Sequence, residues 1–204
     1  MSLFPMITPA ELRRECRKRR RSLTTAQQTD HSLAFAALAH RQGLVQRARR
    51  IAAYIGADGE LDPAPLFSTI QCCRKQLYLP VLRPHPQLKL WFVHHPAGGA
   101  LIANRFGIPE PPIRHRHICL PWALDIILLP LVAFDAQCNR MGMGGGFYDR
   151  TLAYLRHRTA WRRPRLIGVA HDSQKVEQLP PNEWDVPLDR VITESRVYRR
   201  HSGA

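Results

Sequence analysis

A chain of 204 residues is long enough to bury a core of its own, and its 45% hydrophobic content excludes a disordered polyelectrolyte. The formal net charge of +14 points to an anionic partner: nucleic acid, a charged surface or a small polyanion. The five cysteines (Cys16, Cys72, Cys73, Cys119, Cys138) show no CxxC spacing, which excludes a zinc ribbon or a disulfide framework and fits a reducing cytosol.

The start of the chain breaks at Pro5 and Pro9, so no signal peptide is expected. Residues 9–22 read as a basic helix, with Thr8 as N-cap and Pro9 in the first position. Leu12, Cys16 and Leu23 mark a thin apolar stripe. The basic run at 17–21 is either a solvated face or a polyanion contact. Thr24 or Thr25 caps a second helix to about residue 39, with Leu33, Ala36, Ala37 and Leu38 as its buried face and Gly43 as its stop.

Strands and helices then alternate. Apolar runs at 51–55, 77–82, 90–93, 125–132, 166–170 and 190–193 predict strands. Helices are predicted over 62–73, capped by Asp62, and over 147–157. Continuous apolar runs imply strands covered on both faces. The expected fold is α/β: a single domain over 1–204, with a mostly parallel central sheet flanked by helices in three Rossmann-like layers. Segment 96–117 reads as a long irregular connection of the kind that lines sites, and the tail over 196–204 is expected to fray. The longest apolar stretch, 118–134, is interrupted by Pro121, Asp125 and Pro130, so no membrane span is expected.

The most informative stretch is DIILLPLVAFDAQCNRMGMGGGFYDR at 125–150. A strand there feeds a loop carrying Gly142, Gly144, Gly145 and Gly146, followed at once by Phe147, Tyr148 and Asp149. Such a loop lets the main chain approach an anion and aims N–H groups at it. The bland alternative is a structural turn. No Lys-Ser/Thr pair closes it as in a Walker A loop, and Phe147 occupies the last glycine position of a dinucleotide fingerprint. Asp149 is either a Mg²⁺ carboxylate or a partner of the helix dipole. Glu60, beyond the 51–55 strand, either accepts hydrogen bonds from ligand N–H groups or is an ordinary loop acid. His171 and Asp172 follow another strand end and either touch ligand or do not. Asp185 belongs to a turn unless the chain returns beside Asp149. No Ser-His-Asp or Cys-His arrangement suggests covalent catalysis.

Taken together, LRRECRKRRRSLT, YIGADGELD, FGIPEP, DIILLPLVAFD, NRMGMGGGFYDR, IGVAHDSQ and NEWDVPLDRVITE resemble the 5-formyltetrahydrofolate cyclo-ligase family over about residues 9–195. The resemblance implies ATP- and Mg²⁺-dependent conversion of 5-formyltetrahydrofolate to 5,10-methenyltetrahydrofolate through a phosphorylated formyl oxygen, giving ADP and phosphate. By position it implies ATP contacts at Arg13 and at Arg140, Met141, Gly142, Met143, Gly144, Gly145, Gly146, Phe147 and Tyr148. It further implies folate contacts at Ile55, Glu60, Phe106 and Phe147, and magnesium carboxylates at Asp149 and Asp185. Pro9 stands where a lysine is common, leaving Arg14 or Arg17 to substitute. Met143 and Gly145 occupy slots that many members fill with a basic side chain. The expected partners are folate and ATP, in a cytoplasmic monomer without membrane contact, with nucleic acid left open by the basic surface. The alternative is a basic RNA-associated protein on the same fold, although no RNP-like motif, zinc knuckle or helix-turn-helix pattern supports it.

Overall fold

The computed structural model describes residues 8–84, 86–157, 163–180 and 182–200. The chain opens with two helices, α1 (Pro9–Arg21) and α2 (Thr25–Arg41). Each begins with a capping box: Thr8 with Glu11, and Thr24 with Gln27, exchange side-chain and backbone hydrogen bonds that satisfy N–H groups the helix cannot.

An eight-stranded sheet follows, built from β1 (Arg50–Ala52), β2 (Gln76–Leu82), β3 (Leu90–His94), β6 (Ile118–Cys119), β7 (Ile126–Pro130), β10 (Arg165–Val169), β11 (Arg190–Ile192) and β12 (Val197–Arg199). Two small hairpins, β4 (Ile102–Ala103) with β5 (Pro109–Glu110) and β8 (Ala133–Phe134) with β9 (Arg140–Met141), lie outside it. Helix α3 (Pro65–Cys72) links β1 to β2, and α4 (Phe147–Leu152) continues into a 3₁₀ turn, Ala153–His157. The sheet order is β12-β11-β10-β7-β1-β2-β3-β6. The strands from β11 to β2 pair in parallel, while β12 and β3 are antiparallel to their neighbours.

Strand alternation builds the layers. Ile126 and Leu128 of β7 join a core with Phe35 and Ala39 of α2 and Leu66 and Ile70 of α3. Ile127 and Leu129 point the other way, into a core with Leu152 of α4. A third cluster seats α1 through Cys16 against Val132, Ala133 and Leu179. From β1 the chain crosses to β2 on one side, whereas β7 leads to β10 and β11 on the other. The strand order therefore reverses between β1 and β7, and a crevice opens at their carboxyl ends.

Several local expectations are corrected. Leu33 is 56% exposed and Ala37 is exposed as well; Phe35 and Ala39 carry the buried face of α2, where the helical period places them. Asp62 does not cap α3, which begins at Pro65; its Oδ1 instead accepts the Gly56 N–H at 3.2 Å and the Ala64 N–H at 3.1 Å, closing the turn after β1. Residues 197–199 do not fray but form the edge strand β12; residues 201–204 lie outside the described residues. No helix among the described residues is long and apolar enough to cross a membrane.

Candidate active site

The crevice is a cavity of about 450 Å³. One wall comes from the segment after β1, with Tyr54, Ile55 and Glu60. Another comes from β2 and the end of β7, with Leu79, Pro80, Leu82, Pro130 and Leu131. The β4–β5 hairpin supplies Asn104, Phe106, Ile108 and Glu110, so the 96–117 connection does line the site. Asn104 shapes this hairpin, its Oδ1 accepting the Phe106 and Ile108 N–H groups at 2.8 and 3.1 Å. That turn leaves the Phe106 ring 59% exposed at the mouth.

The glycine loop forms the opposite wall, where Arg140, Gly142, Met143, Gly145, Gly146, Phe147, Tyr148 and Asp149 face the cavity. Gly144 and Gly146 adopt φ of +96° and +60°, conformations that disfavour a side chain. At Gly145 an added Cβ would stand 2.9 Å from Cε2 of Phe147, so the ring packs directly on the bare backbone. Arg13 does not line the cavity. Its Nε donates to the Gly142 carbonyl at 3.0 Å and ties α1 to the loop. Met141 lies in β9 and packs behind the loop with the Cys16 cluster. Pro9 opens α1, and Arg14 stays exposed on the face it shares with Arg13.

Asp149 pairs with Arg140, whose side chain is only 5% exposed. Its Oδ1 also accepts the Val186 N–H at 3.5 Å. The chain therefore does return beside Asp149, and Asp185 is the adjoining residue. Oδ2 of Asp185 accepts both the Asn182 N–H and Nδ2 at 3.0 Å, so this carboxylate closes its own turn next to the cavity rather than lining it.

The run at 17–21 is not merely a solvated face. Arg20 is fully buried, and its guanidinium reaches Asp58 Oδ2 at 2.6 Å, the Asp58 carbonyl at 2.9 Å and the Leu131 carbonyl at 3.3 Å. Its Nη1 stands 3.6 Å from Glu60 Oε1. Arg17 and Arg21 bind the same Asp58 carboxylate, which these three cations hold down at a pKa of about 2 despite partial burial. Arg17 is thus committed to Asp58. Burial pushes the Glu60 carboxyl up to about 7, against the opposing pull of Arg20. Burial likewise raises the Tyr148 phenol, with Glu60 adding to the effect. Arg20 was missed because nothing local distinguishes it from its neighbours; the only signal was its place one turn beyond Cys16 on the thin apolar stripe.

His171 is buried but stands outside the cavity, against His31 of α2. Asp172 is similarly outside, bonded to Ser195. The five cysteines are all free thiols.

Residues 7–194 match the model of the 5-formyltetrahydrofolate cyclo-ligase family. The chain is 41% identical over 182 residues to a 5-formyltetrahydrofolate cyclo-ligase from Escherichia coli (strain K12), covering 89% of this chain and 98% of that one. It is 39% identical over 186 residues to the enzyme of the same name from Haemophilus influenzae, covering 89% and 95%. Among solved structures it superposes on a 5,10-methenyltetrahydrofolate synthetase from Aquifex aeolicus with a TM-score of 0.80 and 29% identity, covering 96% of this chain and 94% of that one. The likeness thus spans nearly the whole chain in sequence and in shape alike, and the chain belongs to the 5-formyltetrahydrofolate cyclo-ligase family.

Proposed function

We propose that this protein uses ATP to cyclise 5-formyltetrahydrofolate to 5,10-methenyltetrahydrofolate, releasing ADP and phosphate. The observation that carries the reading is that one cavity has Glu60, Ile55 and Phe106 on one side and the 142–147 loop with Asp149 on the other. A ring system bearing N–H donors and a polyphosphate can lie there face to face.

In this reading Glu60 accepts hydrogen bonds from the pterin, Ile55 and Phe147 sandwich its faces, and Phe106 covers the mouth. The glycine loop receives the triphosphate, with Arg140 beside it and Arg13 fixing the loop from behind. The formyl oxygen attacks the γ-phosphorus as the bond to ADP breaks. Folate N10 then closes on the activated carbon and sheds its proton, and the C–O bond breaks to release phosphate. Phosphoryl transfer of this kind needs positioning and charge neutralisation rather than a protein nucleophile, and the cavity lining offers a glycine loop, Arg140 and carboxylates for that work.

The donor set suits Mg²⁺, which takes one or two carboxylates and leaves its other positions to phosphate and water. Asp149 is among the residues lining the cavity, with both its observed contacts on Oδ1, and Asp185 adjoins it through Val186, which supports this reading. When bound, the ion would neutralise charge on the phosphate oxygens. We place the protein in the cytosol as a monomer, where its free thiols stay reduced.

The test is purified protein with 5-formyltetrahydrofolate, ATP and Mg²⁺, following methenyl absorbance. Product that requires all three is expected; none at high enzyme concentration overturns the reading. RNA retention falling steeply with salt would favour the RNA-associated alternative.

A further inference from the structure

Away from the cavity, three residues distant in sequence converge: His31 on α2, His171 just past β10 and Glu194 just past β11. His31 Nδ1 lies 2.9 Å from His171 Nδ1 and 3.4 Å from Glu194 Oε1. One ligand-type atom from each falls within 4.8 Å of the others, the one such group of three among the described residues. The imidazole rings sit 5.1 Å apart and tilted by 54°, so they converge edge-on rather than stacking.

We propose that this cluster is a binding site for a divalent transition-metal ion of the zinc class. Ligand atoms at about 2.0–2.2 Å from one ion lie no more than about 4 Å from each other, and the 2.9 and 3.4 Å separations fall within that span. The remaining pair, His171 and Glu194, lies within 4.8 Å. Two imidazoles and a carboxylate with an open position suit zinc, whereas Mg²⁺ and Ca²⁺ select oxygen ligands.

The ligands are held in place before any ion arrives. His171 is fully buried, and its backbone N–H donates to Gln174 Oε1 at 2.9 Å. Both Glu194 oxygens sit 3.1 Å from the Asp172 N–H. The outer ring nitrogen of His171, Nε2, is buried without a hydrogen-bond partner, and the backbone of Gly59 lies against the same imidazole. Metal-bound histidines characteristically give that second N–H to a backbone carbonyl, and Gly59 offers one. The His31 side chain is 26% exposed and leaves a path for entry. The ion would staple α2 to the ends of β10 and β11, and through His171 it would brace the loop carrying Gly59 and Glu60.

The experiment uses untagged full-length protein with Cys72→Ser and Cys73→Ser, which removes the two adjacent exposed thiols as competing zinc ligands. After chelator treatment and desalting, the protein is dialysed against zinc and its metal content measured, and Co²⁺ is titrated in parallel to read ligand-field bands. One retained zinc per chain is expected, together with a zinc-dependent rise in thermal midpoint. Both effects should disappear in His31→Ala and in Glu194→Gln, and both should persist in Asp149→Ala, which separates this site from the cavity. Circular dichroism establishes that the variants are folded, and His31 is exposed enough for its replacement to be tolerated. Zinc retained equally by His31→Ala, or no zinc retained by the folded parent, overturns the proposal.

Discussion

Arg20, fully buried beneath the cavity, stands with its Nη1 3.6 Å from Glu60 Oε1 while the same guanidinium grips Asp58 and the Leu131 carbonyl. One side chain from α1 thereby fixes the loop after β1 and the end of β7, the two edges of the crevice. A buried charge of this kind adds little when compared with a well-packed apolar core, but its partners suffer if it alone is removed.

Arg20→Met should therefore destabilise the fold by about 3–5 kcal/mol, since it takes from the buried Glu60 its cation and from Asp58 one of three, and leaves the Leu131 carbonyl without its donor. Arg21→Ala, at an arginine 55% exposed that binds the same Asp58, should cost no more than about 1 kcal/mol. Urea unfolding of both variants measures the difference. Equal losses would show that Arg20 is not the element joining the two edges.

Glu60 makes stability depend on pH in a direction opposite to that of an ordinary salt-bridged acid. Its folded pKa of about 7 lies above the usual 4.5, so the folded state holds the proton longer. The stabilisation is complete below about 4.5 and is lost as pH rises through about 7, by up to about 1.4 kcal/mol per pH unit in between. Glu60→Gln should remove this component, so subtracting its unfolding curve from that of the parent isolates it. A carboxylate accepting pterin N–H groups must be ionised, so KM for the folate should fall as pH rises through about 7 in the parent and not in Glu60→Gln. A parallel pH profile of KM in the two proteins would contradict the role given to Glu60.

The glycine loop and its strand were readable because their signal is local: an apolar run, closely spaced glycines and an acid within one short segment. The capped start of α1 was readable for the same reason. Arg20 was not, because its partners lie 38 and 111 residues away and five basic residues in a row look alike in one dimension. The meeting of His31 with His171 spans 140 residues and depends on where α2 crosses the sheet. Leu33 has the composition of a core residue but the helical period turns it outward; Phe35 and Ala39, four apart, define the inward stripe. Asp62 resembled a cap, but Pro63 and Pro65 around Ala64 let the helix begin only at Pro65.

Gly145→Ala tests the contact between loop and aromatic wall. The new methyl would meet Phe147 Cε2 at 2.9 Å, and the ring must leave its present place against the loop because Arg150, bonded to the Gly145 carbonyl, holds the backbone. Both substrates would lose their shared neighbour, so KM for folate and KM for ATP should each rise by roughly tenfold, a cost of about 1.4 kcal/mol apiece. The glycine lies in an exposed loop, so the thermal midpoint should hardly move. Steady-state kinetics with each substrate varied in turn reads the outcome, and unchanged constants would mean that Phe147 does not touch either ligand.

Asp149 has two possible duties, bracing Arg140 or holding Mg²⁺, and the dependence of rate on the ion separates them. Loss of a charge-stabilising group in a phosphoryl-transfer site costs on the order of 10²–10³ in kcat. Asp149→Ala should fall by at least that much, and Asp149→Asn, which preserves shape but not charge, by a similar amount. Were Asp149 only a brace for Arg140, the Mg²⁺ concentration giving half-maximal rate would stay where it is in the parent. A carboxylate that seats the ion predicts instead that this concentration rises sharply in Asp149→Asn, and less in Asp185→Ala, whose carboxylate is already engaged by Asn182. Parent-like Mg²⁺ dependence in Asp149→Asn would assign the residue to the salt bridge alone and move the metal elsewhere in the cavity.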